Sequence, residues 1–472
     1  MRVSYFSKMP DSRLMISVSG IRGRVGFGLD PAVVTSYAAA FGAWARANSE
    51  RKGDKQPSSA SVVLGRDSRV SGPLFHRVAR AALESVGVNV IDLGLTTTPT
   101  LQMAVEHHHA AGGLCITASH NPIEWNALKF IGPDGLFLSA AAGAEMRALL
   151  ESGIPYATYD ALGATTSDVA AVARHIDAVL ALPFIDAAAI RARKFRVAYD
   201  ACRGAGGIII PALLERLGCD VRSINTETDG RFPRPPEPIP ENLGDLEKLV
   251  RDTDAVVGFA TDPDVDRLAL VSDEGKAIGE DYTLAFACRV VLRHRKGHVV
   301  ANLSTSQVVD DAVRSAGQTL IHAPVGEVNV ALRMRTEGAV IGGEGNGGVI
   351  LPELHLGRDA PLAVALTLQL LVDENKQISR IVAASPSYVI IKDKLPRIDG
   401  PLDGAYTALR AAFPDAAAST VDGLRLTWKD RWIHLRPSGT EPIIRVIAEA
   451  PTRDAAAALI ERGRAAIAAV VL

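Results

Sequence analysis

The sequence has few cysteines, no long hydrophobic run and no excess of charge of either sign. Its four cysteines are scattered, without a Cys-x-x-Cys pair or histidines at zinc-ligand spacing, so neither a disulfide framework nor a zinc site is indicated. A formal net charge of -2 gives no reason to expect nucleic acid or an anionic membrane as a partner. No segment reaches the roughly 18 apolar residues of a membrane span, and the first residues lack the apolar core of a signal peptide. We therefore expect a reduced, cytoplasmic protein.

A strand–helix–strand pattern recurs three times along the 472 residues, a length that suits about three or four domains. Each unit begins with a short β-branched run, continues through a Gly/Ser/Asp loop into an amphipathic helix, and returns to a second strand after a glycine. The units lie at residues 61–94, 195–225 and 298–323. Such units form parallel or mixed sheets covered by helices, so the repetition predicts three similar α/β domains in tandem.

Composition indicates where these domains end. Residues 151–168 are small, polar and aperiodic, which is typical of a linker, and the proline-rich segment 228–242 is predicted to be a loop within the second unit. From residue 385 onward, hairpin-like strands precede a closing helix, which indicates a smaller α+β domain. We predict domains at residues 1–153, 154–274, 275–384 and 385–472.

A serine loop interrupts residues 114–130 (LCITASHNPIEWNALKF) directly after an apolar strand. A proline follows Asn121 and keeps the loop extended, so Ser119 at the strand end is placed to carry a transferred group. His120 would orient or polarise the serine, and Lys129 offers a cation. Taken alone, the same pattern also fits an ordinary capped turn.

An aspartate loop in residues 258–270 (GFATDPDVDRLAL) presents Asp262, Asp264 and Asp266 at alternating positions after another apolar strand. Three such carboxylates repel one another unless a cation lies between them, and oxygen ligands favour a hard ion. An EF-hand is excluded because its required glycine and glutamate are absent. Mg²⁺ is favoured over Ca²⁺ because it keeps coordination positions open for phosphate oxygens, and a solvated turn is the alternative.

Two further loops contain residues suited to binding a sugar and a phosphate. In IGGEGNGGVI (341–350), five glycines surround Glu344 and Asn346, which in extended chain would point together at vicinal hydroxyls; the spacing is not that of a nucleotide-binding loop. In LRPSGTEPIIRV (435–446), a guanidinium, two hydroxyls and free backbone N–H groups suit a phosphate, although a plain turn fits equally well.

Two other polar segments received less specific interpretations. Arg22 and Arg24 lie among glycines near the start, either as an anion contact or in a flexible turn. The triplet 107–109 (HHH) is interpreted as a helix C-terminus, because contiguous side chains point in different directions and imidazoles are favoured there.

The four loops, in this order, resemble the α-D-phosphohexomutase family, which comprises phosphoglucomutases, phosphomannomutases and phosphoglucosamine mutases. The resemblance runs from about residue 17 to the end of the chain and implies three mixed-sheet α/β domains plus a smaller C-terminal domain around a central cleft. It also implies a phosphoserine at Ser119, with His120 beside it, and Mg²⁺ bound by the serine phosphate and the three aspartates. Contacts to the transferring phosphoryl group, or help in proton transfer, would come from Arg22, Lys129 and Arg267.

The resemblance also assigns the substrate contacts. Glu344 and Asn346 would bind the sugar, and the non-reacting phosphate would be held by Arg436, Ser438, Gly439 and Thr440. The implied reaction interconverts hexose 6-phosphate and hexose 1-phosphate through a bisphosphorylated sugar, with hexose 1,6-bisphosphate as activator, in a monomer or homodimer.

The chain departs from the family pattern at three places, and one of them bears on the sugar. Asp-Pro-Asp stands for the usual Asp-Gly-Asp, NALK for NGxK, and Asn346 and Gly348 replace the serine and histidine of the usual GExSGH sugar loop. Gly326 and Glu327 resemble a third-domain loop of the phosphoglucosamine mutase branch, and GEGNGG resembles the sugar loop of its archaeal-type members. This resemblance favours glucosamine phosphate over mannose or glucose phosphate. A Mg²⁺-dependent sugar phosphatase and a catalytically silent binding protein are the alternatives from other classes.

Overall fold

The computed structural model describes residues 14–17, 20–51, 60–396, 402–438 and 443–471. Short buried runs of β-branched and small residues form the strands of four sheets, and amphipathic helices cover their faces. No helix in these ranges combines the length and the apolarity that crossing a bilayer requires.

The first domain contains an eight-stranded mixed sheet in the order β1-β2-β7-β6-β4-β5-β8, with β3 paired to β2. Its elements are β1 (Met15–Ser17), β2 (Gly20–Val25), β3 (Gly28–Leu29), α1 (Pro31–Arg51), β4 (Ser61–Arg66), α2 (Gly72–Ser85), β5 (Asn89–Leu95), α3 (Thr98–His107), β6 (Gly112–Ile116), β7 (Trp125–Ile131), α4 (Ala140–Ser152) and β8 (Thr165–Ser167). The predicted linker 151–168 thus contains a short strand, β8, which pairs with β5 of this sheet. The histidine triplet ends α3, as predicted.

The second domain has a four-stranded sheet in the order β10-β9-β11-β12. Its elements are α5 (Ala171–Leu180), α6 (Ala187–Arg193), β9 (Arg196–Asp200), α7 (Gly206–Arg216), β10 (Asp220–Ile224), a 3-10 turn (Pro240–Asn242), α8 (Gly244–Thr253), β11 (Val257–Thr261) and β12 (Leu268–Ser272). The proline-rich segment is a loop between β10 and α8, which confirms that prediction.

The third domain repeats the same sheet order, β14-β13-β15-β16. It is built from α9 (Asp281–His294), β13 (Val299–Asn302), α10 (Gln307–Ser315), β14 (Leu320–Ala323), α11 (Glu327–Glu337), β15 (Ile341–Glu344), β16 (Gly348–Ile350), α12 (Ala360–Glu374) and α13 (Ile378–Ala383). One hydrophobic core runs through the second and third domains, and α12, buried along nearly its whole length, lies in it.

The fourth domain is an antiparallel five-stranded sheet in the order β17-β21-β20-β19-β18, with its own core. It comprises β17 (Val389–Pro396), α14 (Asp403–Ala412), β18 (Ala417–Ser419), β19 (Leu424–Thr427), β20 (Trp432–Pro437), β21 (Ile443–Ala450) and α15 (Arg453–Val471). The predicted fold class, three similar mixed-sheet α/β domains and a smaller α+β domain, is confirmed. The domain boundaries themselves stay predictions.

Candidate active site

Three of the four predicted loops occupy the same place in their domains. Each sheet has a central strand (β4, β9 or β13) paired in parallel with a neighbour (β6, β11 or β15), and that neighbour turns back as an antiparallel hairpin with the next strand. The serine, aspartate and glycine loops are the three hairpin turns. Because the domains are repeats, three equivalent turns can face one another and build a single site.

The serine loop holds Ser119 in a buried and strained position. Its φ of 48° lies in the left-handed region, which costs a residue with a side chain about 1 kcal/mol or more. The Ser119 hydroxyl donates to Asp262 Oδ2 at 2.8 Å and lies 3.4 Å from His120 Nδ1. The loop therefore brings the serine oxygen to the aspartate loop of the neighbouring domain.

Arg69, which the sequence analysis did not single out, fixes the serine loop from within the first domain. Its guanidinium is fully buried and donates to four backbone oxygens of the loop, those of Ser119, Asn121, Pro122 and Trp125, at 2.6–2.8 Å. Asp67 lies 3.2 Å from Arg69 Nε and accepts from Thr117 Oγ1. The short segment RDSR (66–69) was the available sequence signal, since these four polar residues follow the buried apolar residues of β4.

The aspartate loop gathers three buried carboxylates, as the alternating spacing predicts. One oxygen from each of Asp262, Asp264 and Asp266 lies within 4.8 Å of the others. The Oδ1 atoms of Asp264 and Asp266 are buried without a hydrogen-bond partner among the described residues. Between the aspartates, Val265 has a φ of 65°, a strained conformation for a β-branched residue. Unpartnered carboxylate oxygens in a rigid loop fit a hard divalent cation.

Charge within the aspartate loop is unevenly distributed. Burial, together with Asp266 and Asp264, raises the pKa of Asp262 well above its ordinary value. Burial opposes ionisation of Asp264 too, but Lys129, whose Nζ lies 2.7 Å from Asp264 Oδ2, together with hydrogen bonds to Asp262 and Thr98, outweighs it and lowers the pKa of Asp264. Asp262 and Asp264 therefore ionise unequally, and a divalent cation bound beside them would favour the charged form of Asp262.

Cations surround the serine and aspartate loops. Burial would lower the pKa of Lys129, yet Asp264 and Asp266 outweigh it and raise that pKa, so the amine stays charged. Arg22 donates to Asn121 Oδ1 at 2.9 Å, and Arg267 lies 3.8 Å from Asp266. Burial, Arg267 and Arg22 lower the pKa of His120 well below its usual value, so its imidazole is neutral at pH 7. The site is thus suited to an anion.

The glycine loop places Glu344 at the end of β15 and Asn346 in the turn. Glu344 Oε1 accepts from Asn302 Nδ2 at 2.8 Å and from the N–H of Gly326 at 3.0 Å. Asn346 Oδ1 accepts from the N–H of Gly348 at 3.3 Å and so caps its own turn. The two side chains thus lie in one turn, but each already has a local partner.

Arg358, also absent from the sequence predictions, joins the glycine loop to the aspartate loop. Its guanidinium is buried and bonds Asp266 Oδ2 at 2.6 Å and Glu344 Oε2 at 2.8 Å, and Glu327 Oε2 lies 3.1 Å from its Nε. These carboxylates come from different elements, so no local sequence pattern predicts that they meet at Arg358.

The arginine loop is connected to the same network through Asp422, at the turn before β19. Arg436 Nε donates to Asp422 Oδ2 at 2.9 Å, and the same oxygen accepts from the N–H of Val325 at 3.0 Å, next to Gly326. Ser438 is buried and its N–H donates to the Ile443 carbonyl. Two other predicted residues of the loop, Gly439 and Thr440, lie outside the described residues.

Three repeated α/β domains and an antiparallel fourth, with their loops linked by hydrogen bonds, define a multidomain phosphohexomutase architecture. In agreement, the chain matches phosphoglucomutase/phosphomannomutase α/β/α domains I, II and III and the C-terminal domain over residues 13–156, 173–275, 279–388 and 399–466. The chain belongs to the phosphoglucomutase/phosphomannomutase family. It is an isomerase of the phosphohexomutase class.

Similar proteins agree on the family and differ in the substrate that their names give. A probable phosphoglucosamine mutase from Methanopyrus kandleri is 36% identical, covering 93% of this chain and 94% of its own. A phosphoglucomutase/phosphomannomutase from Thermococcus kodakarensis is 34% identical over 94% and 96%. A solved phosphoglucomutase/phosphomannomutase family protein from Burkholderia thailandensis is 26% identical, with a TM-score of 0.83 over 97% of both chains.

Proposed function

We propose that this chain interconverts hexose 6-phosphate and hexose 1-phosphate through a phosphorylated Ser119 and a bisphosphorylated sugar, with glucosamine phosphate as the preferred substrate. The observation that carries the proposal is the contact of the Ser119 hydroxyl with Asp262, which joins the serine loop to the aspartate loop. Hexose 1,6-bisphosphate would serve as activator by phosphorylating Ser119. Mannose phosphate and glucose phosphate are the alternative substrates.

The residues of the site fit Mg²⁺, which would be held by Ser119 with its phosphate and by Asp262, Asp264 and Asp266. When bound, the ion would neutralise charge on the phosphoryl oxygens. Phosphoryl transfer needs in-line positioning and charge neutralisation more than covalent help, and Arg22, Lys129 and Arg267 supply further positive charge.

Each half of the reaction exchanges one P–O bond for another. A free sugar hydroxyl loses its proton and attacks the phosphorus, so that its new P–O bond forms, the bond to Ser119 Oγ breaks and Ser119 Oγ takes up a proton. After the sugar turns round, Ser119 Oγ loses its proton and attacks the other phosphate, the bond from that phosphorus to the sugar oxygen breaks, and the sugar oxygen takes up a proton. The serine proton then has an acceptor at hand, because the hydroxyl points at Asp262 Oδ2 with His120 Nδ1 nearby.

The substrate would be held at two fixed points in either orientation. Glu344 and Asn346 would contact the sugar hydroxyls, while the non-reacting phosphate would lie against Arg436, Ser438, Gly439 and Thr440. A separate phosphate site favours a mutase over a Mg²⁺-dependent phosphatase, since it retains the bisphosphorylated sugar while it reorients.

A coupled assay with glucosamine 6-phosphate, mannose 6-phosphate and glucose 6-phosphate, in the presence of bisphosphate, tests the proposal. We expect isomerisation, fastest with glucosamine phosphate, and a loss of turnover of about a thousandfold or more in Ser119→Ala because the phosphoryl carrier is gone. Ser85→Ala is the matched control and should retain turnover, because the Ser85 hydroxyl donates to the Ala82 carbonyl within its own helix turn. Release of free phosphate without isomerisation would favour the phosphatase, and an active Ser119→Ala enzyme would exclude the phosphoserine.

A further inference from the structure

Arg358 is the buried cation shared by the aspartate and glycine loops. Its guanidinium touches one carboxylate from each loop, Asp266 and Glu344, and a third, Glu327, at the start of α11. Asp266 Oδ2 bonds Arg358 at 2.6 Å and lies 3.6 Å from Lys129 Nζ, while Asp266 Oδ1 has no hydrogen-bond partner among the described residues and lies 3.8 Å from Arg267 Nε. Arg358 therefore occupies the Asp266 oxygen that could otherwise bind a cation.

The side-chain stem of Arg358 explains why position 348 is glycine. A Cβ on Gly348 would lie 2.2 Å from Arg358 Cδ and 2.9 Å from its Cγ, closer than two such atoms approach. In the family pattern that this chain resembles, the same position of the sugar loop carries a histidine. In this chain the Arg358 side chain fills the space over position 348. A guanidinium from the segment after the loop therefore stands where the family pattern has an imidazole within the loop.

A second buried cluster holds the turn that carries Arg358. The neighbouring Asp359 accepts from His175 Nε2 at 2.7 Å and from His355 Nε2 at 2.9 Å, and its N–H donates to the Val349 carbonyl. Asp359 also caps α12 through the N–H of Leu362. With its backbone anchored on β16 and α12, Arg358 has little freedom to leave its carboxylates.

These contacts lead to opposite effects on the two loops. A guanidinium beside Asp266 repels a divalent cation bound to the same carboxylate, and it takes one of that carboxylate's oxygens. The same guanidinium orients Glu344, whose other oxygen is bonded to Asn302 and Gly326. We propose that Arg358 is a positioning residue that lowers the cation affinity of the aspartate loop and holds Glu344 in place for the sugar. This inference rests on the proposed function of the two loops.

Mn²⁺ binding to the Arg358→Met variant, measured by electron paramagnetic resonance of the free ion, distinguishes the proposed positioning role of Arg358 from a purely structural role. We expect the Mn²⁺ Kd to fall about tenfold, since a like charge is removed and an Asp266 oxygen is freed. KM for the hexose phosphate should rise about tenfold, with a smaller change in kcat, because Glu344 loses its orientation. If Arg358 only supported the fold, its replacement would weaken the binding of both Mn²⁺ and the hexose phosphate.

Gly348→Ala provides a second variant that leaves the arginine in the chain. The added methyl group displaces the Arg358 stem, so Mn²⁺ affinity and KM should change in the same directions as in Arg358→Met. Arg425→Met is the matched control, because Arg425 is equally buried but stacks on Trp432 in the fourth domain. Its Mn²⁺ Kd should equal that of the wild-type protein.

Two outcomes would overturn the inference, and a third would overturn the proposed function instead. An unchanged or weaker Mn²⁺ affinity in a folded Arg358→Met protein contradicts the electrostatic role, and an unchanged KM contradicts the role at Glu344. If Arg358→Met does not fold, the Mn²⁺ affinity and the KM of Gly348→Ala test the inference in its place. Failure of the wild-type chain to bind Mn²⁺ or to isomerise a hexose phosphate would contradict the site itself.

Discussion

Arg69 shows how one buried side chain can determine the shape of a loop, here the serine loop. Five N–H groups in a rigid fork suit it to the four carbonyl oxygens that it meets, and a lysine ammonium has only three donors on a flexible stem. We predict that Arg69→Lys lowers the free energy of unfolding by about 2–4 kcal/mol, since at least one buried carbonyl and part of the pairing with Asp67 are lost. Urea unfolding measures this change.

Activity should respond to Arg69→Lys more strongly than stability does. Displacing Ser119 by a fraction of an ångström misaligns in-line transfer, so kcat should fall about a hundredfold. Amide hydrogen exchange across residues 117–125 should accelerate in the folded protein. Arg77→Lys, on the exposed face of α2, is the control. Wild-type exchange in that segment would show that Arg69 does not hold the loop.

The candidate site residues that the sequence predicted are those whose chemistry is local. Ser119 beside a proline-terminated turn, and three aspartates at alternating positions, carry their signal within a few residues. Arg69 carries only the weak signal of the polar segment RDSR and Arg358 carries none, because their partners are backbone oxygens or carboxylates that only the folded chain brings near. Asn346 shows a related limit: its spacing from Glu344 was visible, but not its bond to the N–H of Gly348.

At the scale of elements, the three strand–helix–strand units were predictable and the hairpins that carry the loops were not. The units at residues 61–94, 195–225 and 298–323 all fold as predicted, because hydrophobic periodicity changes clearly from strand to helix. The returning strands β7, β12 and β16 are buried on both faces, so they lack the alternation that distinguishes a strand. Their antiparallel pairing depends on the turns between them.

Gly347, in the hairpin of β15 and β16, packs against Leu268 in the hairpin of β11 and β12. Its φ is +88°, and an added Cβ would lie 2.3 Å from the Leu268 carbonyl oxygen of β12, whereas Gly317 at φ +69° faces open space. Gly347→Ala should therefore cost about 3 kcal/mol in unfolding free energy, against about 1 kcal/mol for Gly317→Ala, which carries only the backbone strain. Urea unfolding of the two variants provides the comparison.

Enzyme kinetics should also distinguish Gly347→Ala from Gly317→Ala. Gly347 O accepts from the Leu268 N–H, so moving the glycine loop also moves the exit of the aspartate loop. KM for the hexose phosphate should rise in Gly347→Ala and stay at the wild-type value in Gly317→Ala. Equal losses of stability and equal KM values would mean that the close approach of the two hairpins carries no cost.

At the scale of the whole molecule, each domain is tied to the next through buried or partly buried polar groups. Ser119 meets Asp262 between the first and second domains, Arg358 joins Asp266 to Glu344 between the second and third, and Asp422 bonds the Val325 N–H between the third and fourth. Domain-level repetition could be predicted from the sequence. Which surfaces dock could not, since each contact pairs residues distant along the chain.

Docking of the fourth domain on the third includes a carboxylate that titrates near neutrality. Glu449 on β21 accepts from the N–H of Gln307, the first residue of α10, at 2.9 Å. Burial raises the pKa of Glu449 from 4.5 to about 7, against the opposing effects of that hydrogen bond and of Arg425. The folded protein thus binds a proton that the unfolded chain has released, across the interval between these two values.

The sign of the resulting pH dependence follows directly. Below pH 4.5 both states are protonated and the stabilisation is complete; as pH rises to about 7 it is lost, so the unfolding free energy falls. Glu449→Gln keeps an oxygen for the Gln307 N–H and has no proton to lose. We predict that this variant is about 2 kcal/mol more stable than the wild-type protein at pH 8 and that the difference shrinks towards pH 5.

Chemical denaturation at intervals from pH 5 to pH 8 measures that difference, and Glu374→Gln is a control of opposite sign. Burial opposes ionisation of Glu374, but Arg289 and Arg293 outweigh it and lower its pKa, so its contribution is present at neutral pH and lost on acidification. Glu374→Gln should therefore be less stable than the wild-type protein at pH 8, with the deficit shrinking towards low pH. A stability difference for Glu449→Gln that did not vary with pH would contradict the prediction, since it would show that Glu449 keeps one protonation state throughout.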